Sequence, residues 1–149
     1  MEKNISIYSC KLVREGMVNY HGEINQAKDV VEAAKALGFI EFSEEVFSIF
    51  YLNAKGKITG YSEVSRGDLS STLVHPREVF KRAVVSNCSA LILLHNHPSD
   101  DVHPSSEDKA TTSRLVDAGK ILGIRIIDHI IIGPSGAFHS MSTEGELEN

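Results

Sequence analysis

Residues 91–108, LILLHNHPSDDVHPSSED, constrain this chain more than any other stretch. An apolar run, residues 90–94, has the length of a buried strand and ends in His95-Asn96-His97-Pro98. Residues two apart on a strand share a face, so the two imidazoles project together, about 6.6 Å apart along the strand. A polar loop without periodicity follows, then Ser105-Ser106-Glu107-Asp108 at the head of a long helical pattern. Two histidines at a strand end and a carboxylate at a helix start are convergent ligands of borderline hardness. That set suits a catalytic Zn²⁺, which keeps its fourth position open for water. Ser-x-x-Asp is also an ordinary helix start, with Ser105 as N-cap and Asp108 capping back. Both roles fit one carboxylate, which can bind metal through one oxygen and accept a hydrogen bond on the other.

The length, 149 residues, predicts a single domain over 1–149 with a real core. A hydrophobic share of 42% with 23% charged residues is that of a soluble globular protein. A net charge of −5 gives no support to nucleic acid as a general partner, because phosphate affinity needs clustered Lys and Arg. Cys10 and Cys88 form no metal or redox motif. They fit a reducing cytosol and read as small buried hydrophobes. The N-terminus lacks the apolar core of a signal peptide and no apolar run has membrane-spanning length, so the expectation is a cytoplasmic protein without a membrane partner.

Residues 5–13 alternate and are rich in β-branched and aromatic types, which predicts a strand, and 17–23 a weaker one. Asn25 is the expected cap of a helix over 26–37 that buries Ala27, Val30, Val31, Ala34 and Leu37, ended by Gly38. Residues 46–52 and 58–64 read as a hairpin around Asn53-Ala54-Lys55-Gly56-Lys57. Pro76 sits in the first turn of the next helix, whose buried side is Val79, Phe80, Ala83 and Val84. The helix over 106–122 offers Ala110, Leu115, Ala118, Ile121 and Leu122 as its core side, and Gly123 stops it. Strands are expected over 124–132 and 137–141, the first interrupted by Asp128-His129, and 142–149 as a frayed polar tail. The sum is an α/β (α+β) domain around a mixed central sheet flanked by helices.

A zinc site with three protein ligands lowers the pKa of its water to about 7. Peptide hydrolysis then needs a base for that proton and a donor for the oxyanion. Ser105 is placed in sequence to bring a hydroxyl near the metal. The base must come from elsewhere, because no H-E-x-x-H helix is present. Glu44, Glu45, Glu63 and Glu78 are candidates, and spacing does not choose among them.

His95-x-His97-x7-Ser105-x2-Asp108 resembles the JAMM/MPN+ metalloprotease motif. VHPREVFKRAV (74–84), LILLHNHPS (91–99), PSSED (104–108) and IIDHIIIG (126–133) resemble the bacterial RadC family in particular, over about 39–141. The resemblance implies a cytidine-deaminase-like, JAB/MPN architecture and a zinc ion on His95, His97 and Asp108. It implies that Ser105 helps to polarise the substrate carbonyl. Glu45 in SEEVFSIFYLN matches the family's catalytic glutamate best, with Glu44 next by a one-residue shift.

Departures accompany the match. RadC-like chains usually run HNHPSG where this one has HNHPSDD, with Asp100 in the glycine's place; Asp tolerates the left-handed region better than most residues. Longer family members carry a helix-hairpin-helix module ahead of this domain, and the likeness here is to the short stand-alone members. His103 reads as a solvated loop residue rather than a further ligand, His75 and Glu78 as residues that cap and pin a helix, and His21 and His139 as surface or core fillers. Asp128-His129 reads as hydrogen-bonded support on the metal side of the sheet. Cys88 falls at the far end of the metal strand and is rejected as a ligand.

The implied function is hydrolysis of a peptide or isopeptide bond in a protein or peptide substrate, with specificity set by the loops at 65–74 and 99–103. The alternative is a non-catalytic MPN-type binding module associated with DNA repair or mobile elements. A zinc nucleobase deaminase would need H-x-E and a later C-x-x-C, and neither is present.

Overall fold

A computed structural model of the chain describes residues 3–20, 23–67 and 74–147. Its centre is a five-stranded sheet of β1 (Val46–Leu52), β2 (Ile58–Arg66), β3 (Ala90–Asn96), β4 (Arg125–Ile132) and β5 (Phe138–Ser140), in the order β2-β1-β3-β4-β5. Three helices accompany it, α1 (Ala27–Ala36), α2 (Pro76–Ser86) and α3 (Ser106–Leu122), with a single 3-10 turn at Phe39–Glu41. β1 runs antiparallel to both β2 and β3, β3 and β4 are parallel across α3, and β5 is antiparallel to β4. A mixed sheet between helices is the predicted architecture. Among the described residues no helix is long and apolar enough to cross a membrane.

Every residue of β1 and β3 is buried, as expected of inner strands covered on both faces. Strand alternation divides them between two cores. Val46, Phe50, Leu52, Ala90, Ile92 and Leu94 meet α1 through Val30, Val31 and Ala34. Phe47, Ile49, Leu91 and Leu93 meet α2 and α3 through Val79, Phe80, Leu115 and Val116. His95 and His97 continue this second series. Their imidazoles therefore leave the strand on the side of α3.

A slip in the β3–β4 register decides what joins them. Leu91 is opposite Ile126 but Ile92 is opposite Asp128, so Ile127 is an extra residue and the parity of β4 reverses beyond it. Ile130 and Ile132 then fall into the α1 core, while His129 turns to α3. Asp128 points the other way. Ser140 Oγ and the Ser142 N–H donate to its carboxylate, at 2.5 and 2.9 Å, so it ties β4 to β5 and the C-terminal turn. Of the Asp128-His129 pair expected on one side of the sheet, His129 lies on the side of His95 and Asp128 on the other.

Several other expectations are corrected. The described residues of 5–13 and 17–23 carry no strand, and Ile5, Ile7 and Tyr8 are 90%, 95% and 89% exposed. Alternation specifies which side chains would share a face, but a strand also needs a neighbour for its backbone groups, and the segment pairs with none in the described sheet. It rejoins the body at Tyr20, whose hydroxyl donates to the Asp29 carbonyl at 3.1 Å. The strand expected over 17–23 extends into residues outside the described set, as does His21. Gln26 rather than Asn25 precedes α1, and the Asp29 carboxylate accepts from both backbone N–H groups. On α3 the buried residues are Asp108, Thr112, Leu115, Val116 and Gly119, while Ala110, Ile121 and Leu122 face solvent. Val84 of α2 is also exposed, as is Cys10, and Cys88 is half-buried. The tail is pinned: Glu146 bridges Lys109 and His139 at 2.9 and 2.7 Å, and Leu147 packs on the α2–α3 core. His139 is therefore a hydrogen-bond partner of Glu146. Of the connection expected over 65–74, β2 takes Ser65 and Arg66, Gly67 bonds the Glu45 carbonyl, and 68–73 lie outside the described residues.

Candidate metal centre

His95 is the penultimate residue of β3, its side chain 2% exposed, and His97 follows just beyond the strand, its N–H on the Ile132 carbonyl at 3.0 Å. The two rings stand edge to face, with centroids 4.6 Å apart. Asp108, in the first turn of α3, lies against both, with Oδ1 3.1 Å from His95 Nδ1 and Oδ2 3.4 Å from His97 Nε2. Glu45 approaches from the opposite side, 3.7 Å from His95 Nε2. Its position immediately before β1 accounts for this. Residue 45 shares the face of Phe47, and Phe47 is registered opposite His95.

The other candidate bases are held elsewhere. Glu44, one residue off, falls on the other face and lies 3.9 Å from Arg66. Glu63 pairs with Arg66 through two nitrogens, at 2.9 and 2.7 Å, and Glu78 with Lys81 and Arg82. His103 is exposed and bonded to Asp101 at 2.7 Å, and His75 lies at the α2 N-cap without a side-chain cap bond.

Ser105 and Asp108 form a closed capping box. Asp108 N–H donates to Ser105 Oγ at 3.1 Å, and Asp108 Oδ2 accepts from Ser105 N–H and Oγ at 2.7 and 2.8 Å. The cap thus orients the carboxylate, leaving Oδ1 to His95. Burial on its own raises the Asp108 pKa, but the neighbouring imidazoles and the Ser105 N–H outweigh it and hold the carboxyl well below its ordinary range. The same carboxylate raises His97, against the opposing effect of partial burial.

Both ring nitrogens of His95 are buried and neither has a well-aligned hydrogen bond among the described residues, although Asp108 Oδ1 lies 3.1 Å from Nδ1. Buried polar atoms are rarely left so. Here they lie between two carboxylates at distances short enough to share a cation. Glu45, His95 and His97 each offer a ligand atom within 4.8 Å of the others, a set that can hold a metal ion. That trio contains Glu45 where the sequence reading placed Asp108.

Two supporting residues were missed from sequence. Asn96, between the histidines, faces the opposite side and is 2% exposed. Its Oδ1 accepts from Val46 N–H at 2.6 Å and its Nδ2 donates to the carbonyls of Glu44 and Phe42, at 2.9 and 3.3 Å. Asn96 therefore clasps the segment that delivers Glu45. The signal was available: a buried polar residue between two strand-end histidines has to be satisfied. Thr112, four residues beyond Asp108 on the same helical face, bonds the Asp108 carbonyl and His129 Nδ1, each at 2.6 Å. Its hydroxyl has one hydrogen. If that hydrogen goes to the carbonyl, His129 Nδ1 is the donor and its Nε2 is a bare, buried lone pair.

An open cleft of about 430 Å³ adjoins Glu45, lined by Ser43, Glu44, Glu45, Gly67, Pro98 and Ser99.

Comparison with known proteins matches residues 24–146 to a family model described as the RadC-like JAB domain. A UPF0758 protein of Syntrophomonas wolfei is 46% identical over 121 residues, covering 79% of this chain and 52% of the relative. UPF0758 proteins of Clostridioides difficile and Caldanaerobacter subterraneus are 58% and 53% identical over 90 and 91 residues, which are 60% and 61% of this chain and 38% and 39% of theirs. The chain thus spans about half the length, or less, of these curated relatives. The family match takes in all five strands, the three helices and every residue of the centre described above, and the chain belongs to the RadC-like JAB-domain family.

Proposed function

We propose that this chain is a zinc-dependent hydrolase of peptide or isopeptide bonds, with His95, His97 and Asp108 as metal ligands and Glu45 as general base. The observation that carries the reading is the buried His95 ring, without a well-aligned hydrogen bond, between the carboxylates of Asp108 and Glu45. A zinc ion there would lower the pKa of a water to about 7 and polarise the scissile carbonyl.

The two carboxylates divide the work by exposure. The Asp108 side chain is 7% exposed and fixed by Ser105, and a buried carboxylate needs a compensating cation. The Glu45 side chain is 36% exposed and opens onto the cleft, where a substrate would arrive. Glu45 takes a proton from the attacking water and returns it to the leaving amine, which requires a carboxylate that moves. Asn96 holds the backbone on either side of Glu45 and leaves its side chain free. Ser105 first orients Asp108, and it donates to the substrate oxyanion when its hydroxyl turns away from that carboxylate.

Elemental analysis together with cleavage of a proteome-derived peptide pool tests this. The native protein should carry about one zinc per chain. Glu45→Gln should keep the zinc and lose turnover, and Asp108→Asn should lose the zinc. Full cleavage by Glu45→Gln rules out the base. Loss of zinc from Glu45→Gln with retention by Asp108→Asn would make Glu45 the ligand. Under roughly half an equivalent in the native protein, with zinc in the medium, would favour the non-catalytic binding module.

A further inference from the structure

The geometry points to Asp100 as a positioning residue for the metal centre, acting through the loop that holds His97; the role rests on the reading of His97 as a ligand. Asp100 has φ +66, in the left-handed region that suits Gly, Asn and Asp. Its N–H donates to the His97 carbonyl at 3.0 Å, closing a turn over Pro98 and Ser99. The next carbonyl, that of Asp101, meets His97 Nδ1 at 2.5 Å. A carbonyl acceptor makes Nδ1 the protonated nitrogen and leaves the Nε2 lone pair to face Asp108 and a cation.

That carbonyl belongs to an exposed loop with little else to hold it. Among the described residues, the hydrogen bonds that tie 98–103 to another element are those of the Asp100 side chain. Its Oδ1 accepts from Ser135 N–H at 3.0 Å and from Ser135 Oγ at 2.8 Å, in the turn between β4 and β5. Gly133 makes room for the latch, because a Cβ there would run into Asp100 Oδ1. One aspartate thus provides the backbone turn and the anchor together. A glycine at this place provides only the turn.

The two contributions separate by substitution. Asp100→Gly keeps the turn and removes the anchor, while Asp100→Asn keeps both the left-handed tolerance and the Oδ1 acceptor. Zn²⁺ affinity, by competition with a chromophoric chelator, and the visible spectrum of the Co²⁺-loaded protein are the readouts. Asp100→Gly should weaken Zn²⁺ binding about tenfold and alter the Co²⁺ bands, with Asp100→Asn within about twofold of the native protein. Gly133→Ala should reproduce Asp100→Gly. Native affinity and an unchanged Co²⁺ spectrum in Asp100→Gly overturn the proposal. So does a fall in the melting temperature of the metal-free protein with neither metal readout moved, since that is a purely structural role. His97→Ala separates this from the reading beneath it: if it too binds zinc as the native protein does, His97 is no ligand and both fall.

Discussion

His129 is an imidazole with no solvent contact, hydrogen-bonded to Thr112 at 2.6 Å and inclined by 22° to the His95 ring, with centroids 6.3 Å apart. Burial, and next the neighbouring His95, push its pKa down to about 3. The sign of the linkage follows. Well above pH 6.5 the ring is neutral in the folded and the unfolded chain and contributes nothing to pH dependence. As the pH falls through the unfolded value, the unfolded chain takes up a proton that the folded chain refuses, and stability is lost until about pH 3. His129→Gln, which cannot titrate, should flatten the stability profile between those limits. Urea denaturation at a series of pH values measures it, and an unchanged slope would contradict the buried neutral state. A single position of parity matters as much at Glu45. One residue earlier, Glu44 turns to Arg66 and away from His95, a difference that charge and spacing in the sequence could not resolve but the β1–β3 register does.

The elements show where the sequence was readable. The bounds expected for β1 and α3, 46–52 and 106–122, are those observed, since each is an uninterrupted pattern with its own stop signals. The buried face of α3 was only partly readable from apolar letters: Leu115 is buried and Ala118 packs against the core as expected, but Ala110, Ile121 and Leu122 are exposed. The helix opens at the candidate centre and there buries Asp108 and Thr112, and near its other end it buries Gly119 against the turn into β4. Gly119 accepts from Ile124 N–H at 3.0 Å, and a Cβ there would strike the Ile124 carbonyl and come within 3.4 Å of the Phe80 ring. Helix propensity favours Ala over Gly by about 1 kcal/mol, but overpacking costs about 1–3 kcal/mol, and the backbone carbonyl cannot swing aside as a side chain would. Gly119→Ala should therefore lower the denaturant midpoint. A midpoint equal to or above the native one would show that the α3–β4 turn yields. The slip at Ile127 was equally hidden: it is set by pairing between β3 and β4, and it alone puts His129 on the α3 side.

Over the whole molecule, charge and apolar surface are distributed unevenly. Residues 3–20 carry Lys3, Lys11 and Arg14 against Glu15, in a chain of net charge −5, and leave Ile5, Ile7, Tyr8, Val13 and Met17 at least 75% exposed. Brief trypsin treatment of the native protein should cut first after Lys11 and Arg14 and leave the body from Glu15 onward intact, as mass spectrometry would show. Resistance at both sites would mean that another molecule covers the segment. The candidate centre is divided in a comparable way. His95, His97 and Asp108 come from one strand–loop–helix unit, whereas Asn96 reaches back 50 residues to bond Val46 N–H beside Glu45. Closing so long a loop costs more entropy than closing the short one between strand and helix. As the chain folds, the two parts of the candidate centre therefore mature on separate clocks: the strand–loop–helix unit that carries His95, His97 and Asp108 can form before the β1–β3 ladder brings Glu45 beside it.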